Sequence, residues 1–112
     1  MGKINSREKG KRFERQLAKT LTAYGFLCRR GVQYSGLQGE ADDVVGLDGI
    51  HIEAKNVETL NVWKAMEQAV RDANDDEYPT VFHTKNYKGV LVTMRLEDWI
   101  ELYRGWNDDR QK

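Results

Sequence analysis

Apolar residues recur along this chain in two rhythms, one helical and one alternating. Phe13, Leu17, Leu21 and Tyr24 are spaced four, four and three apart, with Ala18 beside them. That spacing makes one apolar face of a helix over about 6–24. Asn5 followed by Glu8 resembles a capping box at its start, and Gly25 stands where a left-handed C-cap ends helices. Residues 26–30 read as a first strand, and a polar, Gly-rich loop over 31–39 follows. Asp43-Val44-Val45-Gly46 reads as a short apolar strand, and Leu47-Asp48-Gly49 as a tight turn. Over 50–55 the alternation is strict: Ile50, Ile52 and Ala54 on one side, His51, Glu53 and Lys55 on the other. Val62, Met66, Ala69, Val70 and Ala73 share the face of a second helix over about 60–74, which Asn74-Asp75-Asp76 ends. Strands over 80–83 and 89–94 follow, joined by a polar turn. Pro79 starts the first of them, where its missing N–H does least harm. Leu96, Trp99, Ile100 and Tyr103 mark a last helix over about 96–104. The order αβββαββα predicts an α/β fold, a mixed central sheet flanked by helices.

Length and composition narrow this picture. With 112 residues, 39% of them hydrophobic and 32% charged, the chain fits a single domain over 1–112, with 106–112 as a polar tail. No apolar run reaches the roughly 18 residues of a membrane helix. The basic first thirty residues contain no apolar core of a secretory leader. The one cysteine, Cys28, has no partner for an internal disulfide, which points to a reducing, cytoplasmic setting. Cys28 itself reads as a small apolar strand residue.

Net charge is zero, yet the charge is segregated. Residues 1–30 hold nine Lys/Arg against two Glu; residues 31–56 hold one against five, and residues 57–80 two against six. A basic arm beside an acidic centre suits a protein whose arm meets phosphate and whose centre holds a cation, although solvation of a helix would produce the same arm. Lys9, Lys11, Arg12, Arg15, Arg29 and Arg30 are the phosphate-contact candidates. No segment looks like a base-reading helix, so the expected readout is of backbone and shape.

Candidate chemistry concentrates at Asp43, Glu53 and Lys55. Glu53 and Lys55, two apart on a strand, project from one face, and the Asp48-Gly49 turn folds Asp43 back toward them. Two carboxylates and a backbone carbonyl, that of Ala54, form a hard-oxygen site suited to Mg²⁺, with Mn²⁺ as substitute. A neighbouring lysine orients the attacking water or neutralises charge on a phosphate. Alone, Asp-x9-Glu-x-Lys is a weak signal, because acids and bases alternate on the solvent side of many strands. Apolar neighbours (Val44, Val45, Ile52), the flexible Gly36-Leu37-Gln38-Gly39 approach and the basic helix strengthen it. His51 shares the face of Glu53, where a ligand or a DNA contact would also stand, and is read as closing the end of the site. His83 has no partner at metal spacing. Trp99 reads as core, and Trp106, in the polar tail, as packing on a partner subunit.

The chain resembles the PD-(D/E)XK nucleases, and within them the archaeal-type Holliday junction resolvases and their phage-borne relatives. Several segments carry the resemblance: Lys9-Gly10-Lys11-Arg12-Phe13-Glu14-Arg15-Gln16-Leu17, Tyr24-Gly25-Phe26, Arg29-Arg30, Ser35-Gly36, Asp43-Val44-Val45-Gly46-Leu47 and Ile52-Glu53-Ala54-Lys55. The resemblance implies a restriction-endonuclease-like fold and an active site of Glu14, Asp43, Glu53 and Lys55. Asp43, Glu53, the Ala54 carbonyl and Glu14 would form the metal shell. Ser35 corresponds to a functional serine of archaeal members, and Gln68 approaches the site from the helix after the lysine strand, as in phage members. It further implies a Mg²⁺-dependent DNA endonuclease, a Holliday junction resolvase acting on branched DNA as a homodimer with two sites. A nuclease of the same fold with another DNA substrate (a nicking, flap or restriction-type enzyme) and a silent DNA-binding module stay open. The chain departs from the family pattern at Asp42, where proline is common. Asp43 is preferred as ligand because the Val-Val pair follows it directly, and Asp42 would then face the opposite side of the strand.

Overall fold

The structure is a computed structural model, and it describes residues 6–31, 43–86 and 88–112. Helix α1 (Ser6–Ala23) leads into β1 (Arg29–Arg30), β2 (Val44–Val45) and β3 (Ile50–Asn56). Helix α2 (Val62–Asp72), β4 (Tyr78–Thr84), β5 (Leu91–Met94) and α3 (Leu96–Arg110) complete the αβββαββα order. The five strands form one mixed sheet in the order β1-β2-β3-β4-β5. Among the described strands, β3 and β4 run parallel, as their connection through α2 requires, and the other neighbours are antiparallel.

The sheet is covered on both faces at its centre. On one face, Phe13, Leu17 and Ala18 of α1 pack against Val44, Ile52, Ala54 and Phe82. On the other, Ala65, Met66 and Ala69 of α2 pack against Val81. The alternation of β3 therefore does not mark an inside and an outside. His51 and Glu53 are as buried as Ile52, with 0%, 1% and 0% of their surface exposed, because α2 covers the polar side.

Local chemistry explains the element ends. Asn61 caps α2, its Oδ1 accepting from the Lys64 N–H at 3.1 Å. Gly49, at φ +82°, closes the turn in which the Ile50 N–H donates to Leu47 O. Pro79 sits at the second position of β4 rather than starting it. Tyr78 N–H donates to Gly49 O on the β3 side, so the Pro79 nitrogen faces β5, whose ladder begins only at Thr80 opposite Met94. The missing donor is thus not needed there.

Several expectations are corrected. The first strand shrinks from 26–30 to Arg29–Arg30, because its partner β2 offers only Val44 and Val45. Gly46 (φ +132°) then turns the chain away; a Cβ there would lie 2.3 Å from Leu27 O. Tyr24 lies past the end of α1 and is exposed. Residues 106–110 are not a tail but the continuation of α3. Trp99 is not core: it is half exposed, because α3 meets the sheet only near its start, where Asp98 is buried and Glu101 accepts from the Tyr78 hydroxyl at 2.7 Å. The expected capping residue Asn5 lies outside the described residues.

Candidate active site

β3 positions the centre of the site. Within a strand, the N–H and C=O of one residue point the same way. Ala54 N–H donates to Asp43 Oδ2 at 2.8 Å, which places the Ala54 carbonyl on the edge where Asp43 stands. Asp43 is fixed in turn by its own N–H, which donates to Ile52 O at 3.0 Å, and by its C=O, which accepts from Gly31 N–H at 2.9 Å. One turn and two strands thus bring residues separated by ten positions to one point, as the hairpin reading expects.

Glu53 and Lys55 project from the same face of β3. Lys55 Nζ stands 3.7 Å from Glu53 Oε2 and donates to Gln68 Oε1 at 3.0 Å. Gln68, on α2, therefore holds the lysine head. Glu14, on α1, accepts from Arg30 Nε at 2.8 Å. All six side chains open onto one cleft of about 920 Å³, which the N-terminal turns of α1 flank with Arg7, Lys9 and Lys11. Asn56 lines it too, and its Oδ1 is buried with no hydrogen-bond partner among the described residues.

Crowded negative charge defines the electrostatics. The Asp43 carboxyl is pushed up from its ordinary 3.8 to about 7, first by burial and then by the nearby Glu53 carboxylate, with a smaller contribution from Glu14. The Ala54 N–H bond and the Lys55 ammonium oppose the rise without cancelling it. The Asp43 carboxyl is therefore only partly ionised near neutral pH, and a bound cation would favour its charged form. Two carboxylates and a carbonyl around one cleft are donors a hard divalent ion prefers, so Asp43, Glu53 and Ala54 fit a metal of the Mg²⁺ or Mn²⁺ kind.

Two further residues stand at the site: His51, which the sequence reading puts at its end without a role, and Asp72, which it misses. His51 Nε2 lies 3.0 Å from Glu53 Oε1, both side chains being fully buried. Asp72, at the end of α2, completes a group with His51 and Glu53 whose ligand-type atoms all lie within 4.8 Å of one another. Among the described residues this is the one such group, and Asp43 and Glu14 do not belong to it. The i, i+2 pairing of His51 with Glu53 was visible in the strand; the approach of Asp72 from 19 positions further on was not.

Of the phosphate-contact candidates, Lys9 and Lys11 line the cleft together with Arg30, whose Nε is engaged by Glu14. Arg12 and Arg15 lie on an adjoining face of α1, where Arg15 pairs loosely with Glu8. Arg29 donates to the Arg30 carbonyl. Ser35 and Asp42 lie outside the described residues. His83 donates to or accepts from Thr93 at 2.7 Å, away from the site, as its lack of a metal-spaced partner suggested.

Comparison with known proteins agrees with this geometry. The family model described as "Phage putative PDDEXK endonuclease" matches residues 5–112. No curated protein and no solved structure gives a significant match. A match over nearly the whole length, on a chain whose acidic and lysine side chains meet at the end of the central strand, places this protein in the phage PD-(D/E)XK endonuclease family.

Proposed function

We propose that this chain is a Mg²⁺-dependent endodeoxyribonuclease that hydrolyses phosphodiesters in branched DNA, a Holliday junction resolvase acting as a homodimer in the cytoplasm of a bacterial, archaeal or phage-infected cell. The observation that carries the catalytic part is the convergence of Asp43, Glu53, the Ala54 edge and Lys55 on one basic-flanked cleft. Asp43, Glu53 and the Ala54 carbonyl would hold the ion, with Glu14 supporting the shell. A divalent ion bound there supplies a water of lowered pKa and neutralises charge on the scissile phosphate. Lys55, steadied by Gln68, presents a compact positive charge to the phosphate oxygens and orients the attacking water. Arg30 fixes the Glu14 carboxylate, and Lys9 and Lys11 hold the flanking backbone phosphates. Ser35 is proposed to serve the same site.

The choice of a four-way junction rests on the likeness to resolvases, and two symmetric scissile strands call for a two-fold dimer. Incubating a labelled synthetic four-way junction, a linear duplex and a flap with Mg²⁺ tests it. Paired symmetric nicks in the junction support the proposal. Preferential cleavage of the flap or the duplex assigns the same catalytic site to another substrate. Equal behaviour of wild type and Asp43→Asn on every substrate leaves only a DNA-binding module.

A further inference from the structure

Helix α3 leaves the body of the protein with its apolar side bare. Trp99 and Tyr103 stack with ring centres 5.2 Å apart, and Tyr103 and Trp106 follow at 5.5 Å, forming one aromatic row. These three rings are 49%, 44% and 54% exposed. Beside the root of the helix lies an equally bare slot. α2 covers β3 and β4 on its face of the sheet, which leaves the flank of β5 open. The resulting groove, about 650 Å³, is walled by Trp63, Met66, Val70, Met94 and Leu96, with Arg71 on its rim. Trp63 is the most exposed of these, at 81%.

The helix does not fill the slot of its own chain, and the connection explains why. β5 ends at Met94 and α3 begins at Leu96, so Arg95 alone joins them, in an extended conformation (φ −69°, ψ 147°). Strand-to-helix connections that fold a helix back over its sheet take about 2–6 residues. One extended residue instead sends α3 outward, and the molecule is accordingly elongated, 58 × 34 × 28 Å. One chain thus carries a plug and a socket that cannot meet within it.

We infer that a second copy of this chain supplies the missing partner: α3 of each copy lays its Trp99–Tyr103–Trp106 row into the α2–β5 slot of the other, in a reciprocal two-fold exchange. Charge favours a protein occupant of this kind. α3 carries five acidic residues against two arginines, which repels a phosphate backbone; the slot offers it Arg71, with Glu67 beside it and Arg95 already paired with Asp98. Area favours it too. Aromatic side chains bury roughly 150–250 Å² each. Four such rings about half or more exposed, with Leu96 beside them at the slot, supply the larger part of the roughly 800 Å² per partner of a stable interface. A helix of 15 residues, about 22 Å long, is also marginal alone in water and gains stability from such a seat.

This inference deepens the homodimer of the proposed function, but its test needs neither DNA nor metal, so a failed nuclease assay leaves it standing. Light scattering on the purified full chain should give about twice its 13.0 kDa. Trp106→Glu on the plug and Trp63→Glu on the socket should each return the mass to that of one chain, neither residue belonging to the active site. Inserting four glycines between Arg95 and Leu96 should also yield a single-chain mass, now with α3 folded home and helical content by circular dichroism unchanged. A wild-type chain of single mass overturns the inference. So does a dimer that survives both tryptophan variants, or one that persists after the insertion.

Discussion

Asp43 is held in a place where its charge is unwelcome. Its carboxyl titrates near 7 in the folded protein against 3.8 ordinarily, because burial and the Glu53 and Glu14 carboxylates disfavour ionisation. The folded state therefore keeps a proton that the unfolded state has already released. Between about pH 4 and pH 7 stability should fall as pH rises, by up to a few kcal/mol, and it should level off above the folded value. Thermal unfolding in EDTA across pH 4–8 checks this. Asp43→Asn should flatten the profile and stabilise the protein at pH 8, while Mg²⁺ should restore stability to the wild type at that pH and not to the variant. A second residue-scale prediction concerns His51. Its ring fixes one Glu53 oxygen, leaving the other toward Lys55 and the cleft. His51→Ala should raise the Mg²⁺ concentration needed for half-maximal cleavage by about 10–100-fold, as loss of a group that orients a metal-holding side chain does. His51→Asn, which keeps a donor, should recover part of it. Calorimetric titration with Mn²⁺ separates weaker metal binding from simple unfolding.

At the scale of elements, the two short strands at the sheet edge depend on one backbone position. Gly46 has φ +132° and passes so close to Leu27 and Cys28 that no side chain fits. Gly46→Ala should cost about 1–3 kcal/mol in urea unfolding. It should also reduce cleavage by displacing Asp43, three residues away. The sequence pattern located each described helix and strand, most of them because apolar spacing records which side of an element meets the core. It misplaced the ends wherever a partner decided them: β1 extends only as far as Val44 and Val45 can pair with it. It read 106–112 as a tail because Asn107, Asp108 and Asp109 are polar all round, yet helices whose faces are not packed on their own body are free of that rule. Of the candidate site, Asp43, Glu53 and Lys55 were legible because a hairpin and a two-residue step fix their geometry. Gln68 and Glu14 came only from likeness to other nucleases, and Asp72 from neither, since contacts between distant elements leave no local pattern.

Considered whole, the molecule separates its charges by function. The basic α1 flanks the cleft, the acidic centre lies inside it, and the acidic α3 points elsewhere. DNA binding should therefore be electrostatic and backbone-directed. Measured with Ca²⁺ in place of Mg²⁺, log affinity should fall linearly with log salt, and Lys9→Ala or Lys11→Ala should each reduce the slope by about 1. A flat salt dependence would remove α1 as the contact. No described helix is long and apolar enough to cross a membrane. The central claim is that Asp43, Glu53 and Lys55 cut DNA with a divalent ion, and single-turnover cleavage of a labelled four-way junction tests it most directly. Wild type with Mg²⁺ should cleave, EDTA should abolish cleavage, and Asp43→Asn and Lys55→Ala should each slow it by about 10²–10⁴-fold while leaving junction binding intact. Cleavage that persists in EDTA, or that both variants perform at the wild-type rate, would contradict it.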